Sequence, residues 1–332
     1  MNKKLKWTIY GFISVIVLVL IVAGVRVYQL EQNLAKAQKP KEESRFAKFE
    51  EKAEYVPPEW TGTERVNILL MGGDERGLTT NEVARSDSMI VASIDPTAKT
   101  IHVMSVLRDT WVEIPGYRDN RANTALSLGG PNLAMKTIGN MLGLDIQYYM
   151  YVDFQGFIKL VDAIGGIDFY VEKNMHYTDA ADGHKYDIDL KEGQQHLDGT
   201  KALQYVRFRH DKLSDFTRTG RQRDFLKAIA DKMQTVWNLY RLPDIIDEVV
   251  PYLETNMSTG DMLKLGTLGY KSHQAGSAQM PPNELLADKT INGSSVLAIR
   301  DKAALKVFVQ QTLAKDTSKV TETGGDKTSD TK

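Results

Sequence analysis

Hydrophobic positions divide the chain into an apolar N-terminal run, a polar stretch, a long alternating region and a polar tail. Between Lys3, Lys4, Lys6 and Arg26, residues Trp7–Val25 carry no charge and are dense in Ile, Val and Leu. That length crosses a bilayer as a helix, and lysines ahead of it favour an N-terminus inside and the bulk of the chain outside. A cleaved signal peptide is the competing reading, with Val22-Ala23-Gly24 as a weak cleavage site, although its apolar region is usually shorter. The expected layout is a cytoplasmic tail at 1–6, a transmembrane signal anchor at 7–27 and an extracellular stalk or linker at 28–64. The charged, Ala/Gln/Glu/Lys-rich part of that linker ends at Pro57-Pro58, and a short coiled coil is the alternative to a solvated linker helix. A folded domain follows at 65–315. The tail at 316–332 has no apolar periodicity and is expected to be disordered.

Within 65–315, strand and helix patterns alternate. Val66–Met71 reads as a buried strand that stops at Gly72-Gly73-Asp74-Glu75-Arg76. Arg85-Ser86-Asp87 runs into a second strand, Ser88–Ile94, and Asp95-Pro96 turns into a third, Ile101–Val106, ending at Leu107-Arg108-Asp109. If neighbours are antiparallel, strands one and three end where strand two begins, bringing Asp74, Arg85, Asp87 and Arg108 to one edge. Ligands of α/β sheets bind at such strand ends. The pattern further predicts a helix from about Pro131 to Leu142, a strand over Tyr148–Val152, a helix capped by Asp153 running to about Ile164 and a strand over Ile167–Val171. Residues 175–190 form an acidic loop or hairpin, and a calcium loop there lacks the terminal Glu of an EF-hand. Leu197–Tyr205 reads as a short helix. Beyond Trp237 helices are expected to dominate, at 243–254, after Ser258 and from Asp301 to about Lys315, with Ser295–Ile299 as one strand.

The densest chemistry lies in Gln204–Arg223, where five arginines (207, 209, 218, 221 and 223) stand with a single lysine, Lys212. A guanidinium grips phosphate oxygens two at a time, which an ammonium cannot do. An extended Val206–Arg209 would put both of its arginines on one face. Thr219-x-x-Gln222 has the form of a capping box, and the helix start it predicts would offer free N–H groups beside Arg218, Arg221 and Gln222. A solvated, ion-paired arginine face is the alternative. The net charge of −1 opposes a nucleic-acid surface, and any basic site must be local. The absence of cysteine removes thiolate chemistry, and the six His show no metal-binding spacing. Gly72-Gly73 is neither a dinucleotide fingerprint nor a P-loop. Two strand-end aspartates with several arginines suit a divalent cation and a diphosphate, or else ordinary salt bridges among Asp74, Asp87, Arg76 and Arg85.

Taken in order, G-G-D-E-R, R-S-D-S-M, L-R-D-T, R-A-N-T-A-L-S-L-G-G, V-D-F-Q-G-F, L-D-G-x-x-A-L-Q-Y-V-R-F-R and D-F-T-R-T-G-R-Q-R resemble the LytR-CpsA-Psr family of cell-wall glycopolymer ligases over about residues 65–235. The resemblance implies an α/β/α-layered domain with a central mixed sheet, outside the membrane. It further implies transfer of an anionic glycopolymer, of teichoic acid or capsular type, from a polyprenyl diphosphate carrier to peptidoglycan. By the same resemblance, Asp74 and Asp87 hold Mg²⁺ (Mn²⁺ being the alternative). Arg85, Arg108, Arg207, Arg209, Arg218 and Gln222 grip the diphosphate, and Arg108 and Asp215 join the aspartates in catalysis. The lipid is expected to leave through an apolar channel walled by the helices at 131–142, 153–164 and 221–237. The chain departs from the family pattern at Val106-Leu107, where Ile-Pro is usual, and at Arg121-Ala122-Asn123, where Lys-Ile-Asn is usual. A non-catalytic wall-binding module and a transcription attenuator are the competing functions, the latter opposed by the anchor and the charge.

Overall fold

Alternation along Val66–Gly73 decides the architecture, because both faces of this strand are apolar. Leu69 and Met71 point into one cluster with Met89, Val91, Met104 and Val106. Val66 and Ile68 point into another with Ile94, Tyr148, Met257 and Leu265. A sheet buried on both sides needs a helical layer on each. The computed structural model describes residues 20–50, 55–74, 83–178, 183–184, 186–209 and 215–315. Its main sheet runs in the order Leu253–Thr255, Tyr148–Asp153, Val66–Gly73, Ser86–Asp95, Thr100–Val106, His273–Met280. The three strands from Val66 to Val106 are antiparallel neighbours, so the first and third end where the second begins, as expected. Tyr148–Asp153 runs parallel to Val66–Gly73, and His273–Met280 parallel to Thr100–Val106, which makes the sheet mixed.

One face is covered by Thr124–Leu142 and Lys302–Ala314 through Met135, Ile138, Leu142, Leu305 and Val309. The other is covered by Phe154–Ala163, Gly199–Arg207, Asp215–Met233 and Leu242–Val249, whose shared core includes Val161, Leu203, Phe225 and Ile245. Local sequence fixes two of these helices against each other. Asp153 caps the first by accepting from the Gly156 N–H, and Asp198 caps the second by accepting from Lys201. A Cβ at Gly199 would overlap the Ile158 backbone, and the Gly199 N–H donates to Asp162 at 2.7 Å. Leu197-Asp198-Gly199 is therefore a helix start that lets two helices nearly touch.

Several expectations need correction. The helix expected at Pro131 begins at Thr124 and breaks at Gly129 and Gly130 (φ 71°), after which Pro131 starts its second part. Residues 206–209 do not alternate as a strand, because the Gly199–Arg207 helix takes in Val206 and Arg207. The arginine helix is already formed at Asp215, so Thr219 is no cap; it is buried, and its hydroxyl donates to Phe216 O at 2.9 Å. Beyond Trp237 strands are as prominent as helices: Leu253–Thr255 and His273–Met280 join the main sheet, and Leu286–Ile291 pairs with Ser294–Ile299. The helix expected over 243–254 ends at Val249. In the acidic segment Met175–Tyr177 pairs antiparallel with Ile188–Leu190, while residues 179–182 and 185 lie outside the described residues.

Residues 28–49, part of the stretch read as a solvated linker, lie against the domain, and so does Arg26 of the expected anchor. Residues 20–35 are helical, with Arg26 paired to Asp244 at 2.9 Å and Lys36 to Asp247 at 2.8 Å. Arg45 and Ser44 both bond the buried Glu254, and Phe46 is buried edge-on to Tyr149 and Tyr151. No described helix is long and apolar enough to cross a membrane. Most of the expected span, residues 7–19, lies outside the described residues, as do Glu75, Arg76 and the tail 316–332.

Candidate functional site

The two helical layers do not approach the sheet equally. Between the sheet and the layer containing the arginine helix lies a cavity of about 560 Å³. The sheet contributes Leu70, Ile90, Met150 and Val152, and the helices contribute Phe157, Leu160, Leu203, Phe225, Leu226 and Ile229. Its polar lining is gathered from the strand ends and the helix ends nearest them: Asp74, Asp87, Ser88, Arg207, Arg209, Arg218 and Gln222. The expected wall from the 131–142 helix is absent, because that helix packs on the opposite face of the sheet. Val206 of the 199–207 helix and Val249 of the 242–249 helix take its place.

Several of these polar side chains are held by others, while Arg209 is exposed. Arg218 is 4% exposed; it donates to the Asp87 carbonyl at 3.1 Å and pairs with Asp215 at 2.5 Å. Burial, with Arg108 and Arg209 nearby, pulls its guanidinium down to about 10 against the opposing pull of Asp215. It stays cationic at neutral pH; the lowering comes first from burial and then from the two neighbouring cations, and a bound anion would oppose it. Arg108 bonds the Asp87 carboxylate and lies 3.6 Å from Asp109 and 3.9 Å from Asp215. Burial alone would lower Arg108, but these three carboxylates outweigh it and raise it. Nε of Arg108 and Nε of Arg218 are buried donors without a hydrogen-bond partner among the described residues. Such donors favour an acceptor-rich ligand.

Arg207 lies over the Phe154 ring at 4.9 Å and the Tyr186 ring at 5.4 Å, and donates to Tyr186 O at 3.0 Å. The Gln222 amide accepts from Ser88 at 3.1 Å and donates to Val206 O at 3.3 Å, tying the arginine helix to both the sheet and the 199–207 helix. A Cβ at Gly73 would overlap the Tyr151 phenol, which explains a glycine at the strand end before Asp74.

Of the residues singled out by sequence, Asp74, Asp87, Arg207, Arg209, Arg218 and Gln222 share the cavity. Arg108 and Asp215 stand behind it as partners of Asp87 and Arg218. Arg85 is exposed at the start of its strand and does not line the cavity. Arg221 turns away to Glu172 at 2.6 Å and Phe208 O at 2.8 Å. Sequence reasoning missed Ser88, Phe154 and Tyr186. The Ser88 signal was adjacency to Asp87; Phe154 follows the recognised cap Asp153; Tyr186 sat unremarked in the acidic hairpin.

An α/β/α domain with arginines and aspartates at the strand-end side of an apolar cavity defines a binder of an amphipathic anion. The chain belongs to the LytR_cpsA_psr family, whose model matches residues 22–313. It is 31% identical over 255 residues to the regulatory protein MsrR of Staphylococcus aureus (strain COL), covering 74% of this chain and 75% of that one. It is 30% identical over 267 residues to the polyisoprenyl-teichoic acid–peptidoglycan teichoic acid transferase TagU of Bacillus anthracis (strain CDC 684 / NRRL 3495), covering 80% and 83%. The crystal structure of B. subtilis TagV superposes with a TM-score of 0.63 at 29% identity, covering 77% of this chain and 98% of that one.

Proposed function

We propose that this protein transfers an anionic glycopolymer, of teichoic acid or capsular type, from a polyprenyl diphosphate carrier to peptidoglycan. It acts outside the cell, anchored by residues 7–27 with its N-terminus in the cytoplasm. The observation that carries this is the composition of one cavity, cationic and acidic at the strand ends and apolar through its body. A lipid diphosphate has the same division. Its tail gains about 0.8 kcal/mol for each CH₂ removed from water, and its phosphates meet forked, charge-assisted donors. The name of the TagU relative describes the same class of reaction.

In this reading Arg207, Arg209 and Arg218, with Gln222, hold the diphosphate, and Arg85 approaches from the rim. Arg108 orients Asp87, and Asp215 orients Arg218. Asp74 and Asp87 would hold Mg²⁺, or Mn²⁺ in its place. What supports this is the donor set: two carboxylates line the same cavity, and Mg²⁺ takes one or two carboxylates and completes its shell with phosphate and water. The bound ion would offset charge on the departing phosphate. The acceptor hydroxyl of peptidoglycan loses its proton to water and forms a bond to the phosphorus that carries the glycopolymer, and the bond to polyprenyl phosphate breaks. Arg218, buried, and Arg207 and Arg209 beside it stabilise the charge that the leaving phosphate acquires.

Asp74→Asn and Asp87→Asn should each abolish metal-dependent turnover while leaving the protein folded. Melting curves with and without Mg²⁺ and a polyprenyl diphosphate check this, and equal ligand-induced stabilisation in wild type and variants would remove the metal site. A regulatory protein without turnover, the competing reading, predicts no product from purified protein supplied with donor and acceptor.

A further inference from the structure

Exposed apolar side chains stand singly in several places, Val307 among them, but gather on one short helix. Val236 is 85% exposed, Trp237 64% and Tyr240 50%, all on the short helix Val236–Tyr240, where the Trp237 and Tyr240 rings stack at 6.2 Å. An exposed patch of this kind marks a surface that meets an apolar phase or a partner. The N-terminal helix says which. The uncharged run Trp7–Val25 ends one residue before Arg26, and the Arg26 guanidinium sits 4.8 Å over the Tyr240 ring and 2.9 Å from Asp244. A span that ends at Val25 therefore delivers this patch to within a side chain's length of the bilayer. The headgroup layer on each side is about 5–7 Å deep, so Trp237 and Tyr240 would lie in it, the layer that amphipathic aromatic rings favour. Asp244 and Asp247 on the Leu242–Val249 helix are each paired with a base of the N-terminal segment, Arg26 and Lys36, and the Arg241 guanidinium stands 6.0 Å over Trp237.

The cavity is oriented to match. At 1.5 Å per residue, the eleven steps from Arg218 to Ile229 carry its lining about 16 Å along the arginine helix, away from the phosphate-binding end. Only a few residues beyond Ile229 the chain enters the Val236–Tyr240 helix. Val249, another wall of the cavity, closes the helix whose first turn holds Asp244. We infer that the Val236–Tyr240 helix is a membrane seat: it rests in the headgroup layer beside the anchor and sets the apolar end of the cavity at the bilayer, so that a polyprenyl chain passes between bilayer and cavity without crossing water. The inference rests on the anchored-transferase reading above and adds the surface that presents the site to its donor.

The chain has no cysteine, so a single introduced one carries a unique label. The full chain bearing Val236→Cys, or Val307→Cys on the Lys302–Ala314 helix as a control, is labelled with an environment-sensitive fluorophore. It is then reconstituted in phosphatidylglycerol/phosphatidylethanolamine vesicles that contain nitroxide-bearing lipid. The label at 236 is expected to shift to the blue and lose intensity to the nitroxide, while the label at 307 does neither. Two labels that both report water would overturn the seat. In a second arm, the double variant Trp237→Ala/Tyr240→Ala should turn over bilayer-embedded polyprenyl diphosphate donor roughly tenfold more slowly, the loss expected when large apolar side chains no longer enter an apolar phase. Turnover of detergent-dispersed donor should be unchanged, and an equal loss in both media would overturn the inference. If the unaltered protein transfers nothing in either medium, the transferase reading fails, while the two label positions still decide the seat.

Discussion

The two faces of the central sheet are built from the same strands and end differently. On one, Leu69 and Met71 meet Met135, Ile138 and Leu126 with no exposed surface to speak of. On the other, Leu70, between them in sequence, is only partly buried and faces the cavity, as Met150 and Val152 do. Apolar side chains therefore occur at both, and hydrophobicity alone does not separate core from site. What separates them is how close the helices come. The Thr124–Leu142 and Lys302–Ala314 helices pack straight onto the sheet. The Asp215–Met233 helix instead carries arginines at the end nearest the strand tips, and these need room and charged partners. Close packing on one face stabilises the domain, and the gap on the other gives it something to bind.

Met135→Ala should show the largest stability effect, because its side chain is fully buried among neighbours that cannot collapse onto the hole. About 2–5 kcal/mol of unfolding free energy should be lost in a denaturant titration, with turnover per folded molecule unchanged. Leu70→Ala is the matching change one residue from Met71 on the other face. It should cost about 1–2 kcal/mol, since some of the deleted atoms border space rather than neighbours, and it should weaken binding of a polyprenyl diphosphate. A Leu70→Ala loss of stability as large as that of Met135→Ala would show the gap closed in solution. Leu70→Phe sharpens the contrast: stability should hold or rise while the added ring takes up donor space.

Much of this contrast was legible in the sequence. Strand order from Val66 to Val106 followed from three apolar runs joined by a polar loop and a short turn, and that order placed Asp74 and Asp87 together. The assignment of a wall to the 131–142 helix failed because an apolar helix says that it packs on the sheet, not on which face. His273–Met280 was invisible for another reason: H-Q-A-G-S-A-Q-M is an edge strand whose only buried residue is Met280, so it carries almost no alternation. The arginine helix begins before its apparent cap because Thr219 and Gln222 have the spacing of a capping box while serving other ends, Thr219 bonding Phe216 and Gln222 bonding Ser88. Phe46 is one aromatic in a charged stretch, and only the rings of Tyr149 and Tyr151 reveal that it is core.

The smallest expected effect tests whether the open face reads shape as well as charge. Arg207 is held on two aromatic faces and donates an N–H to Tyr186 O, so its plane is fixed before any ligand arrives. Arg207→Lys keeps the cation but removes the plane that stacks and the fork that meets two phosphate oxygens. Losing one such hydrogen bond while keeping the charge costs about 1 kcal/mol, roughly a fivefold weaker Kd. Calorimetric titration with a polyprenyl diphosphate should show that loss, whereas Arg207→Gln, which also removes the charge, should lose more. If lysine binds the donor as tightly as arginine, the aromatic clamp serves only to pack the helix end, and the phosphate-gripping role passes to Arg209 and Arg218.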